Sequence, residues 1–259
     1  MQIEVRNLVF SYGDHRVLDG VSFQVQKGEL VALMGPNGTG KSTLFRLMLG
    51  FLRGQGGSIR IEGMELEQMT NAQRAEKLAY IPQSVDPVYN YTVEEMVLMG
   101  LTGSLGILSM PKEEHKMAVR RILQNLGIEE LSERGYARIS GGERQLVLLA
   151  RALVQKAGIF LMDEPTANLD YGNQHRVMKK VRELNQDGYT VMMSTHNPEQ
   201  AFLYADRAVI LCDGVVAADG PPEEVLTGEM LERIYGIPVV LADEDLGKRK
   251  VRICLPADD

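Results

Sequence analysis

Residues 29 to 44 read ELVALMGPNGTGKSTL, and the fold follows from how that stretch changes character in its middle. Leu30, Val31, Ala32, Leu33 and Met34 form a continuous apolar run, the pattern of a strand buried on both faces. Leu44, Leu47 and Met48 then recur at helical spacing. Between the two lies G-x-x-x-x-G-K-S, from Gly35 to Ser42. Dense negative charge can be cradled by consecutive backbone N–H groups only where side chains leave room, and Gly35, Gly38 and Gly40 leave it. Lys41 adds a compact cation for β- and γ-phosphates, and the Ser42 hydroxyl can complete the shell of a hard cation such as magnesium. Thr43 backs the helix start. The flanking strand and helix argue against the alternative, a glycine-rich turn capping an ordinary helix. The loop alone specifies a nucleoside triphosphate and no particular reaction.

The chain of 259 residues suffices for one large α/β domain, and its 44% hydrophobic content permits a well-buried interior. Lys and Arg number 28 against 35 Asp and Glu, a formal charge of -7 that disfavours sequence-independent binding to nucleic acid. No uninterrupted apolar run approaches the ~18 residues of a membrane span, and MQIEVRNLVF lacks the layout of a secretory signal. A soluble, cytoplasmic protein is expected. Cys212 and Cys254 sit in strand-like runs without metal-ligand spacing and read as reduced core thiols.

Residues 2 to 12 and Val17 to Val25 alternate as strands around a Gly13-Asp14 turn, predicting a hairpin-rich N-terminal sheet. Tyr12, at a strand end, is either a packing tyrosine or an aromatic able to stack on a base. A strand over Gly57 to Glu62 and a short helix over Asn71 to Lys77 follow. Leu78 to Ile81 form a buried strand that Pro82 ends, so Gln83 emerges at a carboxyl end, where parallel sheets hold ligands. No strand pattern appears from 84 to 156, which predicts an inserted helical lobe. In it, Thr92 and Glu95 form a capping box ahead of a face made by Val93, Met96 and Val97. After a loop rich in Gly, Ser and Leu, Pro111 opens a helix with Val119, Ile122, Leu123 and Leu126 on one side. His115 lies on its polar face and reads as solvated.

Residues 139 to 155, ISGGERQLVLLARALVQ, begin another helix, with Ser140 and Glu143 as capping box and Leu146, Leu149, Ala150 and Leu153 as the buried face. Capping needs only the serine. Gly141 and Gly142 in the first turn each weaken the helix by ~1 kcal/mol relative to alanine, and backbone exposed at a helix N-terminus is an anion site. The chain thus holds two potential phosphate sites where one nucleotide needs one. Ile159 to Met162 form a buried strand ending in Asp163 and Glu164, adjacent carboxylates that suggest a metal partner and a general base. Asn168, Leu169 and Asp170 lead into a long helix with the stripe Val177, Val181 and Leu184; His175 lies off that stripe and reads as solvated. Tyr189 to Ser194 is the next buried strand, ending in Thr195 and His196, where strand-end placement favours a functional histidine. Asn197, Pro198 and Gln200 read as cap, first helical residue and box partner. Ala208 to Cys212 and Val215 to Ala218 flank the hairpin signal Asp213-Gly214. Short helices around Glu223 to Leu226 and Met230 to Tyr235, and a strand pair around the charged turn Asp243 to Lys250, close the chain.

With these motifs in this order, the chain resembles the ATP-binding subunits of ABC transporters over essentially its full length. GPNGTGKST looks like the Walker A loop, Gln83 the Q-loop glutamine, ISGGERQ the signature, IFLMDE the Walker B strand, NLD the D-loop and His196 the switch histidine. The resemblance implies an α/β fold: a P-loop NTPase core sheet with an N-terminal antiparallel β subdomain and an inserted α-helical subdomain. It implies one ABC ATPase domain over 1-259, with a RecA-like core in 1-83 and 157-220, a helical signature-bearing lobe in 84-156 and a C-terminal accessory segment in 221-259. Ile139 stands for the usual leucine and Asn197 for a frequent aspartate, keeping apolarity and capping. Leu146 stands where a basic residue is common and has no reading at this level.

The same resemblance implies a site and a cycle, with ATP and magnesium (Mg2+) as cofactors. Tyr12 becomes the adenine-stacking aromatic, and Gly35, Asn37, Gly38, Gly40, Lys41, Ser42 and Thr43 the phosphate ligands. Ser42, Gln83 and Asp163 hold magnesium directly or through water. Glu164 activates water, and His196, Gln83 and Lys41 complete the catalytic set. Two such subunits, expected as a homodimer, pack head to tail, so that Ser140, Gly141 and Gly142 reach the partner's nucleotide and Asp170 tunes the interface. Hydrolysis opens the dimer and moves transmembrane permease subunits, with an extracytoplasmic solute-binding protein involved indirectly and no nucleic acid. A cassette with no fused membrane segment looks like a bacterial importer component, peripheral at the cytoplasmic face of the cell membrane. YTVEEMVLMG and PPEEVLTGEMLERIYGIPV resemble subunits that energise uptake of iron-siderophore, haem or cobalamin, although Leu101 follows Gly100 where such relatives often carry arginine. The alternatives are a soluble ABC ATPase of iron-sulphur cluster assembly or nucleic-acid repair, and a generic phosphate-loop kinase or GTPase. Acidic charge and the lack of a tandem cassette or coiled-coil insertion oppose the repair version; ISGGERQ and the missing N/T-K-x-D motif oppose the kinase or GTPase.

Overall fold

The alternating N-terminal residues form β1 (Ile3–Tyr12) and β2 (His15–Val25), antiparallel from Ile3 opposite Val25 to Tyr12 opposite His15. The computed structural model describes residues 1–85, 89–103, 111–245, 247 and 250–257. The chain divides into two units, Met1–Gln68 with Thr190–Asp259, and Met69–Tyr189. In the first unit β3 (Leu30–Met34), buried along its whole length, runs through the glycine loop into α1 (Lys41–Met48). β4 (Gly56–Ile61) then pairs antiparallel with the free edge of β1, and β5 (Met64–Glu65) with β4.

The second unit starts with α2 (Asn71–Lys77), capped reciprocally by Thr70 and Gln73, and β6 (Leu78–Ile81). The helices α3 (Val93–Leu98), α4 (Glu113–Leu126) and α5 (Gly141–Val154) follow, then β7 (Ile159–Asp163) and α6 (Tyr171–Gln186). β6 and β7 run parallel, Leu78 opposite Ile159 and Ile81 opposite Met162, so Gln83 and the pair Asp163 and Glu164 leave the same edge. α5 packs against α3, α4, α6 and β6. Its burial is therefore wider than one stripe: Leu146, Val147 and Ala150 are fully buried, while Leu153 is only half-buried. Leu146 thus lies in the core, as the helical stripe predicts, which leaves no room there for the basic residue of the family pattern.

α4 begins at Glu113, two residues beyond the expected Pro111. Its start is fixed by His115, whose Nδ1 accepts the N–H of Lys112 at 2.9 Å, so the histidine is a cap and not merely solvated. The loop expected before α4 falls mostly on residues 104–110, outside those described.

Returning to the first unit, β8 (Thr190–Ser194), α7 (Pro198–Tyr204), β9 (Arg207–Cys212) and β10 (Val215–Gly220) complete a sheet with the order β10-β9-β3-β8. β3 lies between parallel β8 and β9, which gathers the ends of all three strands at one edge. Asp213 and Gly214 both take positive φ, 51° and 77°, as a two-residue hairpin of primed type requires. α8 (Pro222–Val225), α9 (Gly228–Tyr235) and the antiparallel pair β11 (Val239–Asp245) and β12 (Lys250–Pro256) end the chain. Residues 246, 248 and 249 of the charged turn lie outside those described. Cys212 is buried as expected, but Cys254, on the two-stranded β11–β12 sheet, is only half-buried. Among the described residues no helix is long and apolar enough to cross a membrane.

Candidate functional site

The first unit carries the phosphate loop. At Gly35 the chain leaves β3 with φ 142°, and a Cβ there would lie 1.9 Å from the backbone oxygen of Leu211 on β9. No side chain fits against that strand. Gly40, φ 99°, caps α1 without any side-chain hydrogen bond, and the first turn of the helix holds no acidic residue. The positive end of the helix dipole is thus left open to an external anion. Asn37, Gly38 and Ser42 are exposed and Thr43 is half-buried. Lys41 is only 7% exposed, and its Nζ donates to the carbonyls of Gly35 (2.7 Å) and Pro36 (2.9 Å). A buried ammonium held by loop carbonyls, next to amides that lack a cap, fits a polyphosphate in charge and in donor chemistry.

Two further predicted residues belong to the same unit. Tyr12 ends β1 with 45% exposure, its ring edge-on to Phe10 at a centroid distance of 4.8 Å. His196 follows β8 and is exposed. Its neighbours are fixed: the Thr195 N–H donates to Leu33 at 3.1 Å, and Asn197 caps α7 by accepting the N–H groups of Glu199 and Gln200. The expected box partner, Gln200, is used differently. Its Oε1 accepts the Thr195 hydroxyl (3.0 Å), and the Asn197 N–H donates to that threonine oxygen (3.1 Å), because Thr195 is nearer to both groups. A residue missed by sequence, Tyr235 of α9, donates its hydroxyl to the His196 carbonyl at 2.7 Å.

In the second unit the Gln83 amide donates to the Glu164 carboxylate, and the Tyr80 hydroxyl to the Asp163 carboxylate, each at 3.5 Å, the long edge of hydrogen bonding. Glu164 has φ 47°, left-handed backbone that costs a non-glycine residue about 1 kcal/mol or more. Parallel pairing of β6 and β7 therefore brings Gln83 beside Glu164, as the strand-end reading expects.

Ser140 caps α5 in a closed box. Its oxygen accepts the Glu143 N–H (3.3 Å), while the Ser140 hydroxyl and N–H each donate to the Glu143 carboxylate at 2.7 Å. The Ser140 hydroxyl, and next its N–H, hold the Glu143 carboxyl below the usual range. Gly141 is exposed and Gly142 buried, and a Cβ on Gly142 would lie 2.5 Å from Oδ1 of Asn173 at the start of α6. Asn173 is itself tied to the Asp170 cap through its N–H (2.9 Å) and Nδ2 (2.6 Å). Gly142 thus has a packing reason that sequence did not reveal. The available signal was Asn173 lying three residues past a capping aspartate.

A buried parallel strand opening through a glycine loop onto an uncapped helix defines a nucleotide-binding α/β protein of the phosphate-loop class. The family described as ABC transporter matches residues 18–167. The hemin import ATP-binding protein HmuV of Rhodococcus jostii is 37% identical over 227 residues, covering 88% of this chain and 77% of that protein. The petrobactin import ATP-binding protein FpuC of Bacillus anthracis is 36% identical over 238 residues, covering 92% and 88%. A solved structure described as an inward-facing conformation of an ABC transporter of metal-chelate type superposes with a TM-score of 0.89, at 28% identity, over 99% of this chain and 98% of that one. The chain belongs to the ABC transporter family as an ATP-binding protein, an ATPase whose hydrolysis is coupled to transport.

Proposed function

We propose that this chain energises uptake of a metal chelate, of the iron-siderophore, haem or cobalamin kind, through membrane permease subunits. The observation that carries the reading is similarity over about nine-tenths of the chain to proteins named for import of hemin and petrobactin, joined to a phosphate loop that leads into a helix with no side-chain cap. The soluble iron-sulphur assembly alternative has no such support.

In this reading each residue has a part that its chemistry allows. The loop amides at the start of α1 and the Lys41 ammonium bind β- and γ-phosphates, the lysine exchanging carbonyl partners for anionic oxygen. Tyr12 offers an exposed ring face to adenine. The Ser42 hydroxyl, the Asp163 carboxylate and the Gln83 amide oxygen are hard donors of the kind magnesium takes, and the ion when bound neutralises phosphate charge. The Glu164 carboxylate accepts a proton from the attacking water, and Gln83 orients that carboxylate. His196 donates a hydrogen bond to the γ-phosphoryl oxygens. Ser140, Gly141 and Gly142 present a helix N-terminus to the nucleotide of a second copy, packed head to tail, with Asp170 at that interface. The solute-binding protein acts through the permease, and the chain works as a peripheral subunit at the cytoplasmic face of the membrane. We retain the division into a core (1-83, 157-220), a signature lobe (84-156) and an accessory segment (221-259).

The decisive variant is Glu164→Gln, which keeps shape and removes the base. It should bind ATP, lose at least about 100-fold in turnover, in the range of general-base contributions, and accumulate as an ATP-bound dimer in gel filtration. Turnover equal to the parent would discard the base assignment. Affinity purification of the full chain from solubilised membranes should bring down a polytopic membrane protein; recovery only with soluble scaffold proteins would reject the transport reading.

A further inference from the structure

His196 sits between two anchored neighbours, and the peptide plane that joins it to Asn197 is held at both ends: the Asn197 N–H donates to the Thr195 hydroxyl oxygen at 3.1 Å, while the carbonyl end is held from elsewhere. Its carbonyl accepts the Tyr235 hydroxyl at 2.7 Å, from a helix 39 residues further along the chain. That plane sets ψ of His196, and with it the direction in which the imidazole leaves the backbone. We infer that Tyr235 is a positioning residue for His196, aiming the switch histidine by fixing its peptide plane. The inference rests on the proposed role of His196 at the γ-phosphate.

The surroundings of Tyr235 suit a fixed post. It is the last residue of α9, which Thr227 caps through the Met230 N–H (3.2 Å) and which ends at Gly236 with φ 73°. Leu231 and Ile234 bury the inner face of the helix. Burial pushes the Tyr235 hydroxyl well above its ordinary pKa, so it remains a donor throughout the physiological range. α9 has a second tether beside the phosphate loop: Arg233 pairs with Asp213 at 2.6 Å in the β9–β10 turn, and the Gly214 carbonyl of that turn accepts the Asp19 N–H at 2.8 Å. The pair is exposed and weak by itself. It joins α9 to the turn that follows β9, the strand that backs Gly35. One short helix of the C-terminal segment therefore touches the turns on both sides of β3 within this unit.

The test uses the full chain with Mg-ATP and three variants: Tyr235→Phe, His196→Ala and the double. Phenylalanine keeps the ring and removes only the hydroxyl. Tyr235→Phe should lower kcat roughly two- to tenfold, the fold-change that a hydrogen bond of ordinary net worth sets, with KM for ATP unchanged and the unfolding midpoint lowered by no more than about 5 °C. Hydrogen exchange across residues 195–200 should accelerate in the same variant. Adding Tyr235→Phe to His196→Ala should cost nothing further, since the tyrosine acts through the histidine. Parent-like kcat and exchange in Tyr235→Phe, while His196→Ala is impaired, would overturn the inference alone. So would a loss that multiplies in the double variant. Full activity in His196→Ala would remove the role of the histidine and the inference with it.

Discussion

Gly142→Ala separates two reasons for a glycine in the first turn of α5. The alanine itself favours helix by ~1 kcal/mol. Its Cβ, however, would stand 2.5 Å from Oδ1, 2.6 Å from Cγ and 2.9 Å from Cβ of Asn173. Asn173 has little freedom to yield, because two of its nitrogens bind the Asp170 carboxylate at 2.9 and 2.6 Å. Overpacking of this kind costs about 1–3 kcal/mol, and losing one of those hydrogen bonds adds ~1 kcal/mol. The opposing terms leave a net destabilisation of about 1–3 kcal/mol, or roughly 2–10 °C in unfolding midpoint for a chain of this size. Gly141→Ala is the internal control. Its Cβ would meet only the Leu169 Cδ2 at 3.1 Å, the tip of a side chain that can turn away. The propensity gain then wins, and that variant should be neutral or up to ~1 kcal/mol more stable. Urea and thermal unfolding of both proteins without nucleotide, at unchanged m-value, provide the comparison. Equal stabilities for the two variants, or a Gly142→Ala protein more stable than the parent, would refute the packing argument.

Gly35→Ala should be far more damaging, about 3 kcal/mol or more, because its Cβ would strike the backbone of β9 and no side chain can yield; the check is loss of soluble folded protein or a large drop in midpoint by circular dichroism. Leu146→Lys would restore the basic residue common in relatives, yet the side chain is fully buried here, so we expect destabilisation of about 3 kcal/mol or more from an unpaired buried charge; stability within 1 kcal/mol of the parent would show that the site opens to solvent. Glu143 titrates below the ordinary glutamate range because Ser140 hydrogen-bonds its charged form. A depressed folded pKa adds stability that is complete above the unfolded value, about 4.3, and is lost as pH falls through the folded one. Ser140→Ala should return the Glu143 carboxyl towards its ordinary value by NMR, and its stability deficit should shrink in acid.

Where chemistry is local, the sequence is a faithful guide. The run from Leu30 to Met34, the glycine break and the lysine all appear where their order requires, and the boxes Thr92 with Glu95 and Ser140 with Glu143 close as their three-residue spacing demands. The strand ends that present Gln83, Asp163, Glu164 and His196 were equally legible, since each apolar run stops abruptly at a polar residue. What stayed hidden depends on partners distant in the chain or on unusual donors. His115 caps α4 although histidine is a rare cap, and Gln200 answers to Thr195 instead of Asn197 because two hydrogen-bonding choices of similar energy compete. Periodicity placed Leu146 in the core but assumed one buried stripe, so it missed Val147 and Leu148, which are buried because α5 packs against neighbours on more than one side. The hold of Tyr235 on His196 spans 39 positions with no periodic trace.

The residues proposed to meet nucleotide are also those whose local energetics run against folding. α1 starts without a side-chain cap, Lys41 carries its charge into a site that is 7% exposed, and Glu164 holds left-handed backbone. Each departure is small, about 1–3 kcal/mol, and the first two have the sign that a bound anion relieves. The Lys41 ammonium donates to the carbonyls of Gly35 and Pro36, neutral acceptors for which an anionic phosphate oxygen can exchange. A strained carboxylate at a strand end is likewise held in place by parallel pairing of β6 with β7, which leaves it little room to relax.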